Sequence, residues 1–260
     1  MMQIHELGLI GFPISHSFSE RYFKEKFLNE KINNFDYFLF PLENLDEFPA
    51  FIKNNPKLVG LNVTIPHKKN IIPFLDELDS SALRVGAVNV IKIFPNGKKV
   101  GYNSDYFGFK KSLETLLHTN LHTKNTHLNN LNALILGNGG AAMAVVAALQ
   151  DLKIHYEIVS RQKSVNTISY NDLTTLKHQK PFLQDFQLII NTTPLGMYPH
   201  TEFCPQIPYE YITNQHILYD LVYNPEETTF LKKGRQQGAS TKNGLEMLYL
   251  QAEKSWEIWQ

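Results

Sequence analysis

Short apolar runs alternate along this chain with segments in which apolar residues recur every three or four positions. The first pattern is typical of buried strands and the second of amphipathic helices. In the first hundred or so residues, ELGLIG, FDYFLF, KLVGLNVT and GAVNVIKIF predict strands, with helices from about Ser19, over 44–54 and over 68–84. PNGK at 95–98 predicts a tight hairpin, because Asn-Gly suits the positive φ angles of that turn.

The same alternation returns after a polar stretch. A helix is predicted from Ser104 to about His118, and HTNLHTKNTHLNN over 118–130 then has no apolar periodicity. Its irregularly spaced histidines indicate a solvated connector rather than a metal site, so we expect no metal. NALILG, HYEIVS, FQLIIN and HILYDLV predict four further strands separated by helical segments. Repeated β-α units imply parallel sheets with right-handed crossovers, and the two runs predict two α/β domains.

Composition narrows the class of protein. Of the 260 residues, 43% are hydrophobic and 19% charged, which is typical of a globular enzyme. The 25 basic and 25 acidic residues cancel, so we expect neither nucleic acid nor an anionic membrane as a partner. Cys204 is the only cysteine, which excludes an intrachain disulfide and fits a reducing compartment. We see no signal peptide, and glycines interrupt the longest apolar stretch, 133–149. These features predict a cytoplasmic protein.

The clearest local motif opens the second run, in LILGNGGAAMAVVAAL. A strand, a Gly-rich turn and an apolar helix follow one another, and Gly137, Gly139 and Ala142 fit G-x-G-x-x-G/A. The first glycine suits the tight turn, the second lets a phosphate approach the backbone, and the small third residue lets the helix pack on the strand. The helix N-terminus favours an anion. The motif predicts a dinucleotide site, while a tight turn without a ligand is the alternative.

The end of the next strand bears on which dinucleotide is bound. NAD sites usually place an acidic residue at that strand end, about 20 positions on, to hold the ribose 2′-hydroxyl. Here IHYEIVS ends in Ser160, Arg161, Gln162 and Lys163, while Glu157 lies in the middle of the strand. A basic cluster suits a 2′-phosphate. We therefore expect NADP as the cofactor.

Several segments form an ordered set along the chain: GFPISHSFS (11–19), NVTIPHK (62–68), GAVNV (86–90), GYNSDYFGF (101–109), LGNGGAA (136–142), NTTPLGM (191–197), YDLVYNPEETTFL (219–231) and NGLEMLYLQA (243–252). In this order and spacing they resemble the shikimate dehydrogenase family over essentially the whole length. The resemblance implies reversible NADPH-dependent reduction of 3-dehydroshikimate to shikimate, a step towards chorismate and the aromatic amino acids.

The resemblance also implies a domain organisation. A substrate-binding catalytic domain covers 1–104 and is completed by 241–260, whose helix packs back on it. A Rossmann-type dinucleotide-binding domain covers 105–240. The expected partners are small molecules, and the expected assembly is a monomer or a homodimer.

Two lysines follow Pro66, where the pattern predicts the start of a helix. Because a helix N-terminus prefers anions, Lys68 and Lys69 either point into water or face a ligand. In the family, the lysine of N-V-T-x-P-x-K is catalytic, and the aspartate of N-x-D-x-x-G works beside it. The resemblance therefore implies that Lys68 and Asp105 are catalytic, and it gives His67 no role. Alcohol oxidation releases a proton, which an amine of lowered pKa can accept while a carboxylate orients it.

Other polar residues match the family's site for a small polyhydroxy acid. The resemblance implies that Ser17 and Ser19 bind its carboxylate, and that its hydroxyls are contacted by Thr64, Lys68, Asn89, Asp105, Tyr223 and Gln251. Each residue alone also has a structural explanation: a turn for Ser17, a helix N-cap for Ser19, a strand-end polar group for Asn89, a half-buried aromatic for Tyr223, and an exposed helix position for Gln251.

The motifs also assign the cofactor site. Its expected residues are Gly137, Asn138, Gly139, Gly140, Ala141, Ser160, Arg161, Gln162, Lys163, Leu221 and Gly244, of which the last two match positions near the nicotinamide. The chain departs from the family in three places. Glu20 stands where Pro usually follows S-x-S, Leu221 replaces a frequent Met, and no second arginine follows Arg161. We therefore expect one guanidinium contact to the 2′-phosphate instead of two.

Two alternatives remain open from the sequence. A related dehydrogenase that acts on quinate, or uses NAD, would share most of these motifs. A catalytically silent relative that only binds a metabolite would be expected to lose the lysine or the aspartate, and both are present here.

Overall fold

The computed structural model describes residues 4–15, 17–124, 131–174, 176–177 and 180–260. It contains two compact units, of which the first comprises Met1–Ser104 and Ala252–Gln260 and the second comprises Asp105–Gln251. Residues 241–251 thus group with the second unit. Each unit is built on a six-stranded sheet accompanied by helices. The α/β fold class predicted from the sequence is confirmed.

The first unit contains β1 (His5–Gly11), α1 (Phe18–Asn29), β2 (Phe35–Pro41), α2 (Phe48–Asn54), β3 (Leu58–Val63), β4 (Glu77–Leu78), α3 (Ser80–Val85), β5 (Val90–Ile93) and β6 (Lys99–Tyr102). Its sheet has the order β2-β1-β3-β5-β6-β4. Strands β2, β1 and β3 are parallel, whereas β5 is antiparallel to both β3 and β6. The sheet is therefore mixed, and the expectation of a parallel sheet is wrong for this half of the chain.

The reversal between β5 and β6 is the predicted PNGK hairpin. Gly97 has a φ of +83°, a conformation that glycine adopts without a steric penalty. The Phe94 N–H donates to the Lys98 carbonyl at 2.9 Å and closes the turn. The hairpin prediction is confirmed, and it accounts for the antiparallel pair.

The predicted helix over 68–84 is wrong. Residues 65–71 form turns, and α3 begins only at Ser80. The Lys68 carbonyl accepts a hydrogen bond from the backbone N–H of Val88 at 2.7 Å, and not from the residue four positions on. A helical ladder needs that bond, so the helix does not propagate. The two lysines after the proline therefore lie in a turn and not at a helix N-terminus.

Aromatic rings dominate one side of the first unit's core. Phe23 stacks on Tyr37 at a centroid distance of 4.7 Å, and Trp259, close to the end of the chain, lies 5.3 Å from Phe23. The Trp259 indole N–H also donates to the Ile91 carbonyl at 3.0 Å. A Cβ on Gly60 would lie 2.2 Å from the Trp259 ring, so β3 needs a glycine beneath it. The last residues of the chain thus pack on the first unit, as predicted.

The second unit contains α4 (Ser104–Lys124), which starts at the last residue of the first, then β7 (Asn132–Leu136), α5 (Gly140–Asp151), β8 (His155–Ser160), β9 (Ile168–Ser169), β10 (Leu176–Lys177), β11 (Lys180–Pro181), β12 (Leu188–Asn191), β13 (Ile217–Asp220), α6 (Thr229–Gln236) and β14 (Ser240–Lys242). The last helix, α7 (Leu245–Trp259), belongs to the second unit up to Gln251 and to the first unit from Ala252 onwards. The main sheet of the second unit is parallel throughout, in the order β14-β13-β12-β7-β8-β9. Strands β7, β8, β12 and β13 are the four predicted from sequence, and all four are confirmed. Apolar clusters flank the central strands, which explains their continuous apolar runs.

Helix α4 continues beyond its predicted end near His118 and reaches Lys124. Thr119 and Asn120 each donate a side-chain hydrogen bond to the carbonyl four residues earlier, at 3.1 and 2.9 Å. The last turns of α4 are thus polar and lack an apolar period, and these two side chains find their hydrogen-bond acceptors within the helix itself. The remainder of the predicted connector, 125–130, lies outside the described residues.

Among the residues described, no three His, Cys, Asp or Glu side chains are grouped so that they could hold a metal ion. None of the described helices combines the length and apolar character needed to cross a membrane.

Candidate active site

The first unit contains the predicted substrate residues Ser17, Ser19, Thr64, Lys68 and Asn89, and the second contains Asp105, Tyr223 and Gln251. The cofactor residues all lie in the second unit.

The turn after β3 carries Thr64 and Lys68. The Thr64 N–H donates to the Ile10 carbonyl at 3.0 Å, which ties the start of the turn to β1. His67 is buried, and its Nε2 lies 2.6 Å from the Leu42 carbonyl oxygen. The Lys68 carbonyl accepts from the Val88 N–H, so hydrogen bonds fix the turn both at Lys68 and at the preceding residue, His67. Lys68 is partly buried, whereas Lys69 is exposed.

The serine segment lies at the start of α1. Ser17 is the N-cap, and its hydroxyl accepts from the Ser19 N–H at 3.2 Å. The cap is therefore Ser17 and not Ser19, the residue for which the sequence allowed that role. Ser19 is close to the buried hydroxyl of Tyr37: burial raises the pKa of Tyr37, and the Ser19 side chain acts in the opposite direction. Both serines are half-buried at the same helix end.

Asn89 is 3% exposed and precedes β5. Its Oδ1 accepts from the Ser104 N–H at 2.7 Å, and its Nδ2 donates to the Ser104 hydroxyl at 3.0 Å. The backbone N–H can only donate, so the orientation of the Asn89 amide is determined. Asn89 is thereby joined to the residue that opens α4.

In the second unit, the glycine turn joins β7 to α5. Gly137 has a φ of +110°, and a Cβ there would lie 2.8 Å from the Thr192 hydroxyl oxygen. Gly139 is the N-cap of α5 with a φ of −78°, and a Cβ on Gly139 or Gly140 would meet no atom within 4 Å. Ala142 is buried against the sheet at 1% exposure. Gly137 thus serves the turn, and Gly139 and Gly140 leave open space at a helix N-terminus. This cradle fits a pyrophosphate.

The loop after β8 carries the basic cluster. The Ser160 hydroxyl is buried and bonded to the Gln162 carbonyl and to the Thr167 hydroxyl, so it holds the loop together. Arg161 is exposed. Lys163 Nζ lies 3.5 Å from Asp172 Oδ1 in an exposed ion pair, so that carboxylate already partly balances its charge. Arg161 is therefore the stronger candidate for a phosphate contact.

The end of β13 is organised by Asp220, which is fully buried. Its carboxylate accepts from Asn191 Nδ2 at 2.9 Å, from the Val222 N–H at 3.0 Å and from the Thr228 hydroxyl at 2.6 Å. Burial raises the pKa of Asp220 to about 6, although these three hydrogen bonds act in the opposite direction. Asp220 thus connects the end of β12 with the loop that follows β13.

Leu221 and Gly244, the two positions expected near the nicotinamide, are neighbours. A Cβ on Gly244 would lie 2.1 Å from the Leu221 carbonyl oxygen, so only glycine fits there. The Gly244 N–H donates to the Val222 carbonyl at 3.1 Å. Tyr223 follows on the same loop and is half-buried.

Asp105 is in the first turn of α4 and is partly exposed. Gly108 lies one helical turn further on, and a Cβ there would be 3.0 Å from the Gln251 backbone nitrogen. The Gln251 side chain donates to the Leu248 carbonyl at 3.0 Å within α7. The start of α4 therefore packs against the turn of α7 that carries Gln251.

Sequence reasoning missed the polar residues that hold these loops. Asn191 and Asp220 each end an apolar strand, inside motifs that were quoted without a role for them. A polar residue at the last position of a buried strand was the available signal. Nothing comparable marks Ser255, which lies among polar and aromatic residues of the last helix.

Comparisons with known proteins show which family this chain resembles. Residues 9–91 match the family described as the shikimate dehydrogenase substrate binding domain. A shikimate dehydrogenase (NADP(+)) of Methanococcus maripaludis is 42% identical over 264 residues, covering 97% of this chain and 91% of that protein. A solved shikimate dehydrogenase in complex with NADP+ is 32% identical with a TM-score of 0.78, covering 99% of this chain and 90% of that one. The shikimate 5-dehydrogenase of Listeria monocytogenes in complex with shikimate and NAD is 26% identical with a TM-score of 0.80, covering 98% and 91%.

Proposed function

Because this chain belongs to the shikimate dehydrogenase family, we propose that it catalyses the reversible, NADPH-dependent reduction of 3-dehydroshikimate to shikimate. It is an NADP-dependent oxidoreductase acting on a CH–OH group. The observation that carries the proposal is the full-length match to relatives of this activity, together with both expected catalytic side chains, Lys68 and Asp105.

In the direction of reduction, NADPH supplies the hydride to the carbonyl carbon, and the carbonyl oxygen gains a proton. We assign that proton to the ammonium group of Lys68, with Asp105 orienting it. Ser17 and Ser19 bind the carboxylate, and the polar side chains of Thr64, Asn89, Tyr223 and Gln251 bind the hydroxyls. The turn that holds the lysine is braced by backbone hydrogen bonds and by His67, which supports a fixed position for the amine.

The open space beside Gly139 and Gly140 supports binding of the cofactor pyrophosphate at the start of α5. Arg161 is our candidate for the 2′-phosphate, because a guanidinium can donate paired hydrogen bonds to it. Use of NAD is the second candidate function, since a relative was solved with shikimate and NAD. The strand end here offers no carboxylate for a free 2′-hydroxyl.

The test is an assay of the purified protein with shikimate and quinate, each with NADP and NAD, followed by absorbance of the reduced cofactor. Shikimate with NADP should give the highest kcat/KM. Higher kcat/KM with quinate would reassign the substrate, and turnover of neither acid would refute the proposal.

The proton assignment is tested by Lys68→Ala, with Lys69→Ala as the control on an exposed neighbour. The Lys68 variant should bind shikimate within about tenfold of wild type and lose on the order of 10²–10⁴ in kcat, the usual contribution of a general acid or base. Near-normal kcat in Lys68→Ala would remove this lysine from the mechanism.

We further propose a cytoplasmic enzyme that works as a monomer or a homodimer. The single cysteine supports a reducing compartment. Sedimentation equilibrium distinguishes the two assemblies from larger ones.

A further inference from the structure

A buried polar network runs through the first unit. Its members are Tyr37, Asn62, Asn89, Ser104 and Ser255, and none is more than 6% exposed. They come from β2, from β3, from the segment before β5, from the first residue of α4, and from α7. Buried polar groups far apart in sequence are brought together only when their hydrogen bonds are satisfied.

Most of the hydrogen-bond directions in the network can be assigned. Asn62 Oδ1 accepts from the Tyr37 hydroxyl at 2.8 Å, so its Nδ2 faces the Ser255 hydroxyl at 3.1 Å and the Asn89 carbonyl at 3.3 Å. The Ser255 and Ser104 hydroxyl oxygens lie 3.1 Å apart, and Ser104 Oγ accepts from the Asn89 amide. The Ser255 hydroxyl therefore links the Asn62 amide to the hydrogen-bonded pair formed by Ser104 and Asn89.

One end of this network is a residue of the proposed substrate site. That end is the Asn89 amide, which donates to the Ser104 hydroxyl, and the other end is the Tyr37 hydroxyl, which donates to Asn62. The Ser104 hydroxyl, which accepts from the Asn89 amide, is braced by a hydrogen bond with the Ser255 hydroxyl. Loss of that brace lets the Ser104 hydroxyl rotate and weakens its hydrogen bond with Asn89 Nδ2, so the amide is then held only by the Ser104 N–H at its Oδ1.

We propose that Ser255 is a positioning residue for shikimate, acting through Ser104 on the amide of Asn89. The inference rests on the proposed function, because it takes Asn89 as a contact to a substrate hydroxyl. It adds to that function a residue on the last helix that does not itself touch the ligand.

A double-mutant cycle tests whether Ser255 acts through Asn89. Ser255→Ala should raise the KM for shikimate about 3- to 10-fold, the usual worth of one neutral hydrogen bond, and leave the KM for NADP within about twofold. In an Asn89→Ala background the same change should raise the KM for shikimate less than about twofold, because interacting residues are not additive.

Ser112→Ala is the matched control. Ser112 is also fully buried, donates to Glu246 at 2.8 Å and accepts from Tyr219 at 2.9 Å, but it lies in the second unit. Its loss should lower thermal stability without raising the KM for shikimate. If Ser255→Ala does not fold, Ser255→Cys, which keeps a weak donor and acceptor, takes its place in the cycle with a smaller expected increase.

An unchanged KM for shikimate in the Ser255 variant would overturn the proposal, as would an equal factor in both backgrounds. Wild-type turnover of shikimate is measured first. Its absence refutes the proposed function, whereas normal wild-type turnover with an additive cycle refutes the role of Ser255 alone.

Discussion

The two glycines of the turn between β7 and α5 should respond in opposite ways to the same substitution. Gly137→Ala places a Cβ 2.8 Å from the Thr192 hydroxyl oxygen and 2.9 Å from Thr193 Cγ2, at a φ of +110°. Gly139→Ala places a Cβ in open space at a φ of −78°. We therefore expect the first variant to lose stability and the second to lose NADP affinity.

The expected sizes follow from these contacts. A non-glycine residue in so unfavourable a backbone region costs about 2 kcal/mol. For a unit of this size, that lowers the melting temperature of Gly137→Ala by about 4 to 8 °C. Gly139→Ala should stay within about 0.5 kcal/mol of wild type in its free energy of unfolding. Its new methyl group blocks the approach of the pyrophosphate, and loss of one charge-assisted hydrogen bond weakens NADP binding about 10- to 150-fold.

Thermal denaturation followed by circular dichroism, without cofactor, measures the stabilities. Titration calorimetry with NADP at a temperature where both variants are folded measures the affinities. Gly140→Ala, at another open position, serves as the control for stability. Wild-type NADP affinity in Gly139→Ala would show that the pyrophosphate does not bind at this turn, and equal melting temperatures for the two variants would refute the steric reasoning.

Other consequences can be tested alongside these. Since the pKa of Asp220 is raised to about 6 from 3.8, its folded form binds a proton more readily and wild-type stability falls as pH rises through this window. Urea denaturation from pH 4 to 7 should show Asp220→Asn gaining up to about 3 kcal/mol relative to wild type, and a pH-independent difference would contradict this. Arg161→Ala should raise the KM for NADP about 10- to 150-fold but not the KM for NAD. Lys163→Ala should change either KM less than about threefold, because Lys163 already pairs with Asp172. Equal effects of Arg161→Ala on both cofactors would exclude the phosphate contact. Trp259→Ala should cost about 3 to 5 kcal/mol, measured by urea denaturation, and a loss below about 1 kcal/mol would show that this ring is not part of the core.

The sequence predicted best where one local pattern decides the structure. Strands β7, β8, β12 and β13 are buried in a parallel sheet, so each leaves a continuous apolar run. The glycine turn carries its own signature. Asn-Gly likewise marked the hairpin between β5 and β6.

The two failures have different causes, one a contact between distant residues and the other a polar helix end. The helix predicted after Pro66 does not form because the Lys68 carbonyl bonds to Val88. The end of α4 was misjudged because its last turns are polar, and Thr119 and Asn120 donate to carbonyls within the same helix. Such bonds leave no period in the sequence.

The candidate site divides in the same way. Motifs identified the residues expected to touch substrate and cofactor, since these occur in short, ordered segments. The residues that brace them could not be predicted, because their partners lie far away along the chain. Asp220 depends on Asn191, and Ser255 depends on Asn62.

The first unit combines residues 1–104 with residues 252–260, so it cannot be complete until the whole second unit has been synthesised. Its sheet is finished by Ser104, but the Trp259 ring that covers Gly60 belongs to the final nine residues assigned to that unit, Ala252–Gln260. At about 5–20 residues per second, those residues are made about 7 to 30 s after Ser104. During that interval β3 keeps an apolar face without its cover, while every residue of the second unit is already synthesised before Ala252. The first half of the chain, although synthesised first, therefore acquires its complete core only after every residue of the second unit has been made.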